Sequence, residues 1–196
     1  MTALENYRQT RAHTLGLIEN LPVEDLCIQP EAFVSPIKWH IGHTTWIYEK
    51  IIQQSDKSES FNNKYDQIFN SYYKGIGNHW LQRKRGQLSR PTLDSIITYK
   101  NAIDERVEFH LSQNKDFEQD LILAIEHEKQ HQELIVMDTK YILSLGIDLI
   151  ENGKRFDQFS TTPRDINQRY QNFEGGIIDV GHQGGGFCFD NELPCH

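Results

Sequence analysis

Only three residues lie between His127 and His131 in the stretch IEHEKQHQELIVMD. If the stretch is helical, this spacing is just over one turn. Both imidazoles then project from one face, about 6 Å apart along the axis and within reach of a single metal ion. A second histidine-bearing segment, SPIKWHIGHTTWIYEK, lies upstream and offers His43 as a third ligand. An i,i+4 pair on one helix plus one histidine from another is how a helical bundle assembles an open metal site. Such a set accepts Fe²⁺, Zn²⁺ or Ni²⁺, and by affinity order nickel and zinc exceed iron, so a recombinant sample is expected to take up either of them readily.

Several neighbouring residues compete for roles. HEKQH also fits H-E-x-x-H, in which Glu128 would be the base of a zinc protease. That five-residue pattern recurs by chance, and no third protease ligand recommends itself downstream. Without His43 the pair would read equally well as surface histidines. His40, three residues before His43, is an alternative ligand but reads better as a partly exposed helix histidine. His79 reads as a loop residue. Asp138, seven residues past His131, either orients a metal-bound imidazole or caps a core polar network. Trp39 and Trp46 read as core rather than as a cation–π wall. Cys188, in a tail, is not expected to reach the site.

The elements that must position these residues follow from periodicity. Ala3 to Leu21 carries apolar residues at three- and four-residue spacings, which predicts helix 1 running to Pro22. Helix 2 is expected from Pro36, with Ser35 as its N-cap and Trp39, His43, Trp46, Ile47 and Lys50 along one side. Phe61 to Gly86, rich in aromatics, reads as a long crossover with short helical turns. Helix 3 is expected after Thr92 as cap, with Ile96, Ile97, Tyr99, Val107 and Phe109 on its stripe and a stop at Asn114-Lys115. Helix 4 is expected from about Phe117 to Leu145, bounded by Gly146. The fold class is therefore all-α, a four-helix bundle with a long crossover between helices 2 and 3, followed by a Gly-rich irregular or β tail. We divide the chain into a bundle over 1–150 and a tail over 151–196, in which Phe173 to Phe189 reads as short strands with Gly turns. The tail reads as the start of a second domain.

Composition narrows the function classes. The chain has 196 residues and a formal net charge of −8, which argues against a nucleic-acid partner. It shows neither a secretory signal pattern nor a run of the roughly 20 apolar residues that would span a bilayer, so no membrane role is expected. Three scattered cysteines fit a reducing, cytoplasmic compartment.

The segments SPIKWHIGHTTWIYEK, FNSYYKGIG with RGQLSRPTLD, EHEKQHQEL and FEGGIIDVGHQGGGFCFDNELPCH occur in the order seen in the sulfoxide synthases of ergothioneine biosynthesis, and the chain resembles that family along essentially its whole length. The resemblance implies a DinB-like bundle followed by the start of a formylglycine-generating-enzyme-like domain. It implies Fe(II) held by His43, His127 and His131, matching the spacing argument. It implies an oxidoreductase that uses O₂ to join a thiol, γ-glutamylcysteine or cysteine, to Nα-trimethylhistidine. Three imidazoles leave the ion's charge uncompensated and positions open for a thiolate and O₂. Gln130 matches a family position that meets trimethylhistidine, and one of Arg83, Arg85 and Arg90 is expected to face the thiol substrate's carboxylate. Because the family's second domain supplies a catalytic tyrosine, the chain alone is expected to be inactive. Two other readings remain open, a stand-alone DinB-like thiol transferase and a non-catalytic metal-stabilised module.

Overall fold

The structure, a computed structural model, describes residues 2–71, 75, 77–113, 117–145 and 171–196. The chain divides into two compact units, Met1–Leu149 and Ile150–His196. The first unit is helical: α1 (Ala3–Gly16), α2 (Val23–Cys27), α3 (Ile37–Asp56), α4 (Tyr65–Phe69), α5 (Leu93–Gln113) and α6 (Phe117–Ser144). The long helices α1, α3, α5 and α6 make the bundle, with α3 packed against both α5 and α6 and α1 against α6. No helix among the described residues is long and apolar enough to cross a membrane.

The central position of α3 explains its composition. Every residue from Ile37 to Trp46 is buried, so the element has no solvent face along its first ten residues, and the single stripe read from the sequence understates it. Ile41, Trp46 and Ile52 fill the core with Ile103 and Val107 of α5 and Leu121 and Ile125 of α6. Burial of such side chains stabilises the fold by about 1.5–3 kcal/mol each. Helix α1 begins with a capping box, in which Thr2 accepts from the Glu5 amide and Glu5 accepts from the Thr2 amide.

Several boundaries differ from the sequence-based expectation for identifiable reasons. Helix α1 stops at Gly16, before Pro22, and turns carry the chain onward; Leu17 and Leu21 pack on the core from these turns rather than from a helix. Ser35 is not the N-cap of α3. Pro36 holds that position, and Ser35 instead donates its amide to Asp138 and accepts from Arg85 at its hydroxyl. Thr92 does cap α5, accepting from the Ser95 amide at 3.2 Å. Phe109 is 64% exposed and lies off the buried stripe formed by Ile96, Tyr99, Ile103 and Val107. The crossover contains α4 and a 3₁₀ helix, Gln82–Gln87, as its short turns. The expected stops at Asn114-Lys115 and Gly146, and the linker 151–170, lie outside the described residues.

The second unit, over residues 171–196, holds no strand. Val180 and His196 exchange two backbone hydrogen bonds and His182 donates to Glu192, the pattern of an antiparallel pair too short to form a ladder. The expected strands between Phe173 and Phe189 are therefore absent. Gly184, Gly185 and Gly186 all take positive φ and form a Gly turn of the kind expected there.

Candidate metal centre

Helices α3 and α6 bring His43, His127 and His131 together, each offering a ring nitrogen within 4.8 Å of the others. The ring centroids of His127 and His131 are 4.6 Å apart, as one turn of α6 dictates, and His43 lies 4.7 Å from His131 and 5.1 Å from His127. His43 is 1% exposed and His131 9%. Their surroundings disfavour charge. Burial, aided by the neighbouring ring of His127, holds the His43 pKa well below the usual histidine range. Burial lowers His127 to about 4 and depresses His131 strongly, so the group is neutral at pH 7 and its lone pairs are free of proton competition.

The fit to a metal can be tested nitrogen by nitrogen. His43 Nδ1 lies 2.6 Å from the carbonyl oxygen of Phe69, and a carbonyl only accepts, so Nδ1 carries the hydrogen and Nε2 the lone pair. Gly42 makes this approach possible, since a Cβ there would overlap the Phe69 ring. The buried Nδ1 of His127 has no hydrogen-bond partner among the described residues, and a metal–ligand bond or a proton acceptor would satisfy it. A neutral, three-imidazole donor set with an orphaned nitrogen suits a borderline divalent ion.

The group opens into a cleft of about 470 Å³ lined by α3, α6 and the crossover. Of the three candidate arginines only Arg85 lines it; Arg83 and Arg90 are exposed and outside the lining. Arg85 is 6% exposed, and its guanidinium carbon sits 3.3 Å from the centroid of the Trp39 ring. Trp39 in turn stacks on His43, at 4.7 Å and 11°. Desolvation lowers the Arg85 pKa to about 10, which leaves it cationic, and its buried Nε lacks a partner. Gln130 is exposed at the rim and lines the cleft with Leu134 and Met137. His79 belongs to the crossover loop, as expected, and also lines the cleft, outside the three-histidine group. Trp46 is wholly buried, with its indole donating to Asp66.

His40 departs most from its expected place. It is buried, 3% exposed, and its ring joins His131 (Nδ1 to Nδ1, 2.8 Å) to Asp138 (Nε2 to Oδ2, 3.0 Å). Asp138 is thus part of a buried polar network, since its carboxylate also accepts from the Ser35 amide, and it touches His40 rather than any of the three grouped histidines. The i,i+7 spacing of His131 and Asp138 hinted at a shared face; the intervening residue from α3 had no sequence signal.

Glu128 turns the other way. It is fully buried, accepts from Thr14 (2.6 Å) and Tyr48 (2.8 Å) and pairs with Arg11 at 3.0 Å. Arg11 continues to Asp104, which also takes Lys100 and Tyr7. A carboxylate so occupied by α1 and α3 side chains, and outside the lining of the cleft, is not available as a protease base. In the second unit, His182, Cys188 and Glu192 also approach one another, but Glu192 is exposed and its carboxylate already accepts from the Phe189 amide.

No curated protein matches the chain. A family model described as the DinB superfamily matches residues 6–135, which contain all but the first three residues of α1, the whole of α2 to α5 and the part of α6 bearing both His127 and His131. The match takes in well over half of the sequence, and the chain belongs to the DinB superfamily.

Proposed function

We propose that the bundle is the metal-binding part of a non-haem iron(II) sulfoxide synthase of ergothioneine biosynthesis, with His43, His127 and His131 as ligands. The observation that carries this reading is the convergence of three neutral histidines, two of them buried and His127 partly so, in one cleft with a single buried arginine. The reaction is balanced as a thiol S–H and the imidazole C2–H of trimethylhistidine consuming one O₂, giving a carbon–sulfur bond, one S=O and one water. Iron(II), when bound, supplies the redox chemistry with O₂.

The chain's own residues bind and orient. Arg85 sets a positive charge beside the histidines, suited to the carboxylate of γ-glutamylcysteine or cysteine, and its Nε donor has no partner among the described residues. Gln130 lines the rim of the cleft beside the apolar side chains of Leu134 and Met137, which supports assigning it the contact with trimethylhistidine. The phenolic proton donor that the family uses comes from its second domain, so the bundle alone positions reactants without completing turnover. Orientation can account for many orders of magnitude in rate.

A DinB-like thiol transferase is the second reading, because the same three histidines holding zinc would lower a thiol's pKa. The two are separated by assaying the iron-loaded chain with trimethylhistidine, either thiol and O₂, beside a protein in which the bundle precedes the complete second domain of that family. The expected result is sulfoxide, detected by mass spectrometry, only from the longer protein and only with the three histidines intact. Thiol alkylation by the zinc-loaded chain with no sulfoxide from either protein would replace this reading with the second.

A further inference from the structure

We infer that Asp138 and His40 form a relay of fixed polarity that sets the tautomer of His131 and so determines which of its nitrogens can hold a metal. The inference rests on the metal-site reading above.

The polarity follows from one backbone group. The Ser35 amide, 3.0 Å from Asp138 Oδ2, can only donate, so Oδ2 is an acceptor. His40 Nε2, 3.0 Å from that same oxygen, must therefore be the N–H. A neutral imidazole carries a single ring proton, which leaves His40 Nδ1 as the acceptor. The 2.8 Å contact between His40 Nδ1 and His131 Nδ1 then needs a hydrogen from His131. His131 is held as the Nδ1–H tautomer, and its lone pair is confined to Nε2. All four groups are buried, so water does not compete for the order.

Two of the three histidines are consequently pinned in the same tautomer by unlike devices, His43 by the Phe69 carbonyl and His131 by a side-chain relay anchored on the chain entering α3. His40 is thus a positioning residue, acting through His131. Its contribution to metal binding is orientation and tautomer selection, which in comparable metal sites amounts to about 10- to 100-fold in affinity.

The test reads tautomers and metal affinity separately. In the metal-free protein, long-range ¹⁵N–¹H NMR of the histidine rings is expected to show His131 protonated at Nδ1 and His40 at Nε2; the opposite assignment for either ring overturns the relay. Cobalt(II) affinity is then measured by competition for wild type, His40→Leu, His40→Gln, Asp138→Leu and Asp138→Asn. His40→Leu removes the acceptor and is expected to weaken binding about 10- to 100-fold. His40→Gln, whose carbonyl can accept from His131, restores part of it. Asp138→Asn keeps an oxygen for the Ser35 amide and stays near wild type, whereas Asp138→Leu follows His40→Leu. Unchanged affinity in His40→Leu also overturns the relay. Wild type that binds no cobalt(II) while showing the expected tautomers would fault the metal reading and leave the relay standing. If His40→Leu does not fold, the Asp138 pair and the wild-type spectra decide.

Discussion

The site is a set of four histidines held neutral, three buried and His127 partly buried, and that state has a consequence for pH. Burial lowers the pKa of His40, His43, His127 and His131, with His127 brought from 6.5 to about 4. In the unfolded chain the same rings titrate near their ordinary value of about 6.5. Between these limits the unfolded state binds protons that the folded state refuses, so stability is lost as pH falls through about 6.5. The slope is up to about 1.4 kcal/mol per pH unit for each such ring. Carboxylates held low contribute in another window: Asp104, whose burial is outweighed by Arg11 and Lys100, loses its contribution only below its ordinary value of 3.8. Urea unfolding of the metal-free protein is expected to show a falling midpoint from pH 7 to pH 5, and a constant midpoint would mean that the rings are charged or exposed. At this scale the sequence was informative where spacing fixed the geometry. His127 and His131 share a face because one turn of helix requires it. His40 was misplaced because its burial depends on α6 closing over α3, a tertiary fact without local trace. Arg85 could not be separated from Arg83 and Arg90, since only the 3₁₀ helix at Gln82–Gln87 decides which arginine turns inward.

Helix α6, which carries two of the three grouped histidines, is held along two adjacent faces. His127 and His131 face α3, while Glu128 between them is locked to Arg11, Thr14 and Tyr48. This buried pair fixes the rotation of α6 about its axis, and with it the direction of both imidazoles. Removing one member strands the other without solvent, which in buried ion pairs costs about 3–5 kcal/mol. Glu128→Ala is therefore expected to destabilise the protein by that amount in denaturant unfolding. A change under about 1 kcal/mol would show Glu128 to be free and would reopen a role for it as a base. The long helices were legible from period and caps, Thr92 and Phe117 among the boundary residues that the structure shares with the sequence reading. The start of α3 was misassigned because Ser35 obeys the capping preference in sequence while its hydroxyl and amide are taken by Arg85 and Asp138. The Gly turns expected in the tail are present, with positive φ at Gly184–Gly186, but the segments beside them make too few paired backbone hydrogen bonds to form the expected strands.

For the molecule as a whole, a DinB-superfamily bundle places a three-histidine group that could hold a metal ion in a cleft between α3, α6 and the crossover. The all-α class could be read from sequence because four amphipathic or buried helical periods admit few packings, and the crossover could be read from the distance between helices 2 and 3. The cleft could not, because it is shaped by loop residues such as Gln82 and Arg85 that carry no periodic signal. The claim on which everything functional depends is that one divalent metal binds through His43, His127 and His131. Its most direct test is elemental analysis of the protein after anaerobic loading with iron(II) and gel filtration, for wild type and for the triple variant His43→Ala, His127→Ala, His131→Ala. The account predicts about one iron per chain in wild type and a background level in the variant; one iron retained by the folded variant, or none in wild type, would contradict it.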